Sequence, residues 1–226
     1  MTNINEYNVI IITGFIGLLA ALLTGTGEFL LHFDPLARFS ENSYEFMLAT
    51  TDKQQTWGHF IGTLSAPLYV IGMWHIYLML KPANQKIAFI AFLLSSYGFM
   101  IGADWISSRA SIGALTHIQA TGIDISSLVE LYQLRYESLL GVVRITTLAI
   151  SVIYIWLVLT GRSHYKKWQA VLNPILLLIS NFIIYAISPE IGKYMMPIAL
   201  NIGFGAFFIM SLLQARNSNT TTQNQE

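Results

Sequence analysis

The sequence predicts an all-α integral membrane protein: one bundle of six transmembrane helices, with both termini in the cytoplasm. Three observations carry this prediction. Hydrophobic residues make up 54% of the 226 residues and charged residues only 11%, against roughly a quarter charged in soluble domains. Apolar runs of about 20 residues, the length that crosses a bilayer's hydrocarbon layer, recur along the chain. Two alternate connections and the segment after the last run hold basic residues with no acid until Glu226, an asymmetry of the kind that orients membrane proteins.

The runs are 9–31, 58–80, 87–106, 138–159, 171–187 and 195–213. They form a single domain over 1–216, followed by a polar, Thr/Asn/Gln-rich tail over 217–226 that reads as disordered. The first run lacks the basic flank of a cleavable signal peptide, since only Glu6 is charged ahead of it. Residues 110–120 read as a short helix lying on the outer surface. Gly122, Asp124 and Ser126 then supply a turn and cap, so the fourth helix starts near Ser127 and projects beyond the bilayer.

Lys81 and Lys86 lie between the second and third runs. Arg162, Lys166 and Lys167 lie between the fourth and fifth, and Arg216 follows the sixth. By the positive-inside rule these segments face the cytoplasm, as expected for a multi-pass protein of the plasma membrane. The opposite face receives the long segments 32–57 and 107–137. Ten of the twelve acids lie there or at span ends that open onto it. Trp57 and Trp105 fall at the outer boundary and Trp168 at the inner one, the levels where amphipathic rings settle. Lysine plus arginine equals aspartate plus glutamate, 12 to 12, so no basic excess supports a nucleic-acid partner. The absence of cysteine excludes disulfides, thiol redox chemistry, iron–sulfur clusters and cysteine zinc sites.

Ionisable groups inside spans are costly and point to function. Glu28 and His32, four apart, share one face near the outer end of the first helix. His59 enters the second helix between Gly58 and Gly62, a small-residue pair that admits a neighbouring helix. Asp104 ends the third at a similar depth. Glu28, His32, His59 and Asp104 are therefore the expected ligands of one divalent ion, with zinc the best match to a mixed N/O set. The bland alternative is a set of hydrogen bonds and register-fixing ion pairs. Glu130, Glu137 and Arg144 recur every seven residues on the fourth helix and so share a stripe. In the catalytic reading Glu28, Asp104 and Glu137 do acid–base work, while Arg144, Tyr132 and Arg135 hold a lipid headgroup. His75, Asn181 and Asn201 read as packing groups.

The runs GEFLLHFDP, GHFIGTLSAPLYVIGMWHIY and NIGFGAFF together resemble an uncharacterised bacterial family of multi-pass membrane proteins, with the similarity spread over most of the chain. That resemblance implies a multi-pass fold and brings no mechanism. By chemistry alone the polar set is similar to the alkaline-ceramidase-like membrane hydrolases, although the H-x3-H pair of that group is absent. Small sterol-isomerase bundles with intramembrane Glu and His offer a second analogue. Three functions follow. The first is a metal-dependent hydrolase acting on an amphiphilic lipid at the outer leaflet. The second is a metal-free acid–base isomerase of a lipid or isoprenoid. The third is a non-enzymatic lipid-binding, sensing or transport protein; a transporter with six spans and no internal repeat would need a homodimer.

Overall fold

The computed structural model describes residues 4–38 and 44–223, and among these every regular element is helical. The helices are α1 (Ile4–His32), α2 (Asp52–Ser65), α3 (Leu68–Leu80), α4 (Gln85–Ala120), α5 (Ser126–Leu159), α6 (Pro174–Ile187), α7 (Pro189–Met195) and α8 (Ala199–Gln223). Five stretches are long and apolar enough to cross a membrane: Glu6–His32, Asp52–Leu80, Gln85–Ala120, Ser126–Leu159 and Pro189–Ser218. The fifth apolar run yields only α6, 14 residues long, which at 1.5 Å per residue rises about 21 Å. Its start is fixed by Asn173, whose Oδ1 caps the Leu176 amide at 3.1 Å, and by Pro174 in the first turn.

Local chemistry explains the other boundaries. Thr51 and Gln54 form a reciprocal capping box that opens α2, six residues before the predicted run begins. Pro67, which lacks an N–H, separates α2 from α3. The expected surface helix over 110–120 is instead the continuation of α4. No glycine or proline intervenes between Trp105 and Ser111, and the Ser108 hydroxyl donates back to the Trp105 carbonyl at 2.7 Å. The helix α8 runs on to Gln223, into the polar tail, and residues 224–226 of that tail lie outside the described residues.

The helix α1 is central and packs on α2, α3 and α8, while α4 bridges α2 and α3 to α5, and α6 lies on α8. Close approach depends on missing side chains. A Cβ on Gly72 would come within 2.5 Å of the Gly17 Cα, and one on Gly27 would collide with the Gly62 backbone. At one end of the bundle the Lys81 ammonium lies 3.9 Å from Glu6, the His164 amide donates to the Met79 carbonyl (3.1 Å), and Gln214 Nε2 donates to the His164 carbonyl (2.9 Å). The start of α1, the α3–α4 turn, the α5–α6 connection and the C-terminal part of α8 therefore share that end. His75 is buried just inside it. Its Nδ1 donates to the Ile10 carbonyl (2.7 Å) and its Nε2 accepts from Ser211 Oγ (2.6 Å), which in turn meets the Tyr165 hydroxyl at 2.5 Å.

Candidate functional site

The opposite half of the bundle holds a buried polar cluster built on Glu28. This residue, 2% exposed, sits one turn before the end of α1, where the Gly27–Gly62 contact draws α2 close. One carboxylate oxygen, Oε1, lies 3.3 Å from Arg109 Nη2. The other accepts a hydrogen bond from Asn201 Nδ2 of α8. The Tyr69 hydroxyl of α3 donates to Asn201 Oδ1 at 2.7 Å and so fixes the orientation of that amide. Arg109 is itself buried. Its Nη1 donates to His32 Nδ1 at 3.2 Å, its guanidinium carbon stacks 4.0 Å from the centre of the Trp105 ring, and the Tyr136 hydroxyl lies against it. Because His32 Nδ1 accepts here, its ring proton belongs on Nε2. The His32 ring stacks on Phe46 with centroids 4.2 Å apart. Arg109 Nε and Trp105 Nε1 are buried without a hydrogen-bond partner.

Glu28, Tyr69 and Asn201 face a cavity of about 40 Å³, room for about three waters at ~10–15 Å³ each. Its remaining walls are mixed: Thr24, Ser95, Thr146 and Thr147 are polar, while Phe99, Ile106, Val143, Ile150 and Phe204 are apolar. Gly98 and Gly102 thin the α4 wall. The α5 and α8 walls meet through side chains, with the Tyr154 and Phe207 ring centroids 5.0 Å apart, while α5 leans on α4 and α6 on α8.

The structure brings Glu28 and His32 together, with Arg109 between them. It places His59 elsewhere, with Nδ1 donating to the Ser107 carbonyl at 3.3 Å. Asp104 is exposed on α4. Among the described residues no group of three or more His, Asp and Glu side chains stands ready to hold a metal ion. Glu137 and Arg144 lie on the outer face of α5, 3.8 Å apart and largely exposed. Arg135 is exposed with its guanidinium 5.5 Å from the Tyr132 ring centre. Trp57 and Trp168 are exposed, as membrane anchors would be, whereas Trp105 is buried beneath Arg109.

Sequence reasoning overlooked Arg109, and it read Asn201 and Tyr136 as packing and interface groups. A signal for Arg109 was present: in Ser107-Ser-Arg-Ala-Ser111 a lone cation sits four residues after Trp105, the spacing that stacks guanidinium on indole within one helix.

Outside the spans, Asp34 closes the turn that follows α1. Its Oδ1 accepts the Leu36 amide (3.0 Å), and its Oδ2 accepts the Arg38 amide (3.1 Å) and Arg38 Nε (2.7 Å). Burial alone would raise the Asp34 carboxyl, but the hydrogen bonds from the Arg38 side chain and from the two amides outweigh it and hold the group below its ordinary value.

No curated protein and no solved structure matches the chain. One family model does, over residues 1–218, so the chain belongs to the family of unknown function DUF6796.

Proposed function

We propose that this chain is a multi-pass membrane enzyme that takes the polar end of an amphiphile into the Glu28 cavity and acts on it by metal-independent acid–base chemistry. Glu28 is the proton-transferring group. The observation that carries this reading is a buried carboxylate, steered by Arg109 and Asn201, facing a small cavity with mixed polar and apolar walls. A water beside Glu28 gives it a proton and attacks a carbonyl or phosphoryl centre; the bond to the leaving oxygen or nitrogen breaks, and Glu28 returns the proton to that departing atom. A C–H proton beside it could be removed and returned at another carbon, as in an isomerase. Asn201 and Tyr69 hold the carboxylate in register, and Arg109 balances its charge.

The metal-dependent hydrolase suggested by Glu28, His32, His59 and Asp104 is the weaker form of this idea. Zinc on the first two would share their lone pairs with a fixed guanidinium about 3 Å from each, and like charges in low dielectric repel strongly. A base at Glu137 would act from the outer face of α5, away from the cavity.

The topology that fits is six passes. The helix α6 with its turn into α7 makes the fifth, a short one, and both termini face the cytoplasm on the side that carries Lys81, Arg162, Lys166, Lys167 and Arg216. That orientation places the cavity nearer the outer leaflet of the plasma membrane.

The test is isotope entry. Full-length protein is reconstituted in vesicles of total bacterial lipid extract, in parallel in H₂¹⁸O and in D₂O, and the lipids are resolved by mass spectrometry. Wild type is expected to place ¹⁸O (hydrolysis) or deuterium (isomerisation) into one lipid class, and Glu28→Gln to abolish it. If neither label enters above empty vesicles, the enzyme reading is overturned, and retained lipid under those conditions would mark a binding protein instead.

A further inference from the structure

We infer that the outward face of α5 is a homodimer interface, with the α5 helices of two copies crossing at Gly141 and Arg144 of each copy pairing with Glu137 of the other. The inference rests on α5 alone and stands whether or not the Glu28 site is catalytic.

It begins with a glycine that the protein itself does not use. Among the described residues, the other helical glycines each have a neighbour within reach of an added Cβ, such as Gly17 against Gly72 or Gly98 against Thr146. At Gly141 a Cβ would meet nothing within 4 Å. Glycine inside a helix is less favourable than alanine, and no packing within the chain offsets that here. Its side of α5 looks away from the bundle. Leu134, Gly141 and Leu148 repeat every seven residues, and Leu134, Ile145, Leu148 and Val152 are all exposed. A seven-residue apolar repeat centred on a glycine is the pattern of a helix–helix seam in membranes, where small residues admit close backbones.

Charge selects the occupant. Arg144 and Glu137 flank Gly141 on this face, with side chains 67% and 47% exposed. Counting from the α5 terminus at Leu159, Arg144 stands 15 residues up the helix, about 22 Å at 1.5 Å per residue. That is still inside a hydrocarbon layer of ~30 Å. An arginine facing lipid at that depth is costly, and a single exposed pair 3.8 Å apart leaves most of its donors unused. A phosphate on Arg144 would meet the Glu137 carboxylate. A second copy related by a two-fold axis along the membrane normal meets no such conflict, because the stripe is self-complementary: each Arg144 lies as far below the opposing Glu137 as below its own. Two carboxylates and two guanidinia then close into one network.

The chain has no cysteine, so single-cysteine variants read the interface directly. Full-length Gly141→Cys and Leu148→Cys, reconstituted in phosphatidylcholine vesicles and oxidised with copper phenanthroline, are expected to run as covalent dimers. Ile12→Cys and Leu93→Cys, exposed on α1 and α4, are expected to remain monomers. Single-molecule photobleaching of labelled protein should show dimers, with association weakened about ten-fold by Arg144→Glu or Glu137→Arg and restored in the double exchange. Equal cross-linking at all four positions, or monomers at every protein-to-lipid ratio, overturns the proposal. A monomer that keeps a phospholipid through native mass spectrometry and loses it on Arg144→Gln would assign the face to a lipid instead. Retained helical content and unfolding midpoint in each variant separate loss of the interface from loss of fold.

Discussion

Arg109 shows how one side chain redefines the chemistry of its neighbours. Read in isolation, Glu28 and His32 are two metal-capable groups at helical spacing. With a guanidinium between them they become an ion pair and a neutral hydrogen-bond acceptor. Removing one partner of such a buried pair strands the other charge, at a cost of about 3–5 kcal/mol. Arg109→Gln should therefore lower the unfolding midpoint in detergent more than the double variant Arg109→Gln/Glu28→Gln does. If the double variant is as unstable as the sum of the singles, the two groups are not coupled. Asp34 permits a pH test at the same scale. Its carboxyl is held below the ordinary aspartate value, so its stabilising contribution is present above about pH 3.9 and disappears as pH falls through the lower folded value. The stability difference between wild type and Asp34→Asn should be constant near neutrality and vanish only at the acid end of a pH series. A difference already lost at pH 5 would contradict the hydrogen bonding described.

At the level of the elements, glycines separate walls that can thicken from walls that cannot. Gly27 lies against the backbone of Gly62, so Gly27→Leu must drive α1 from α2. Overpacking of this kind costs about 1–3 kcal/mol, and the loss of midpoint should appear with or without lipid. Gly102 borders the cavity, and an added Cβ would meet only Val143 Cγ2, at 3.9 Å. Gly102→Leu should fill the cavity and abolish isotope incorporation while leaving the midpoint within experimental scatter. Loss of activity together with loss of fold would remove the support for the cavity as the site. Elements also mark where the sequence reading and the structure part. The single run over 58–80 did not show the α2–α3 break at Pro67, whereas glycine punctuation located the turn at Gly122. It gave no stop after Trp105, and a bilayer-length window ended the third helix at Ile106. Reading α4 through to Ala120 would have carried Arg109 over the end of α1.

For the whole molecule, the orientation proposed from the basic residues is open to the same cysteine-free background. Thr121→Cys, in the α4–α5 turn, should react with a membrane-impermeant maleimide on intact cells, and Arg162→Cys only after permeabilisation. The reverse pattern would invert the bundle. The all-helical class, five of the long apolar helices and the gathering of Lys81, Arg162 and Lys166 at one end were legible from composition, run length and charge placement. These are one-dimensional quantities, set by what the hydrocarbon layer demands of each segment separately. Depth along each helix was legible for the same reason, which is why Glu28, His59 and Asp104 looked alike. Azimuth was not, because which face of a helix meets which neighbour depends on how all the helices pack. Only the tertiary structure turned His59 to the Ser107 carbonyl, left Asp104 and Arg144 outside, and brought Arg109, Asn201 and Tyr69 to Glu28.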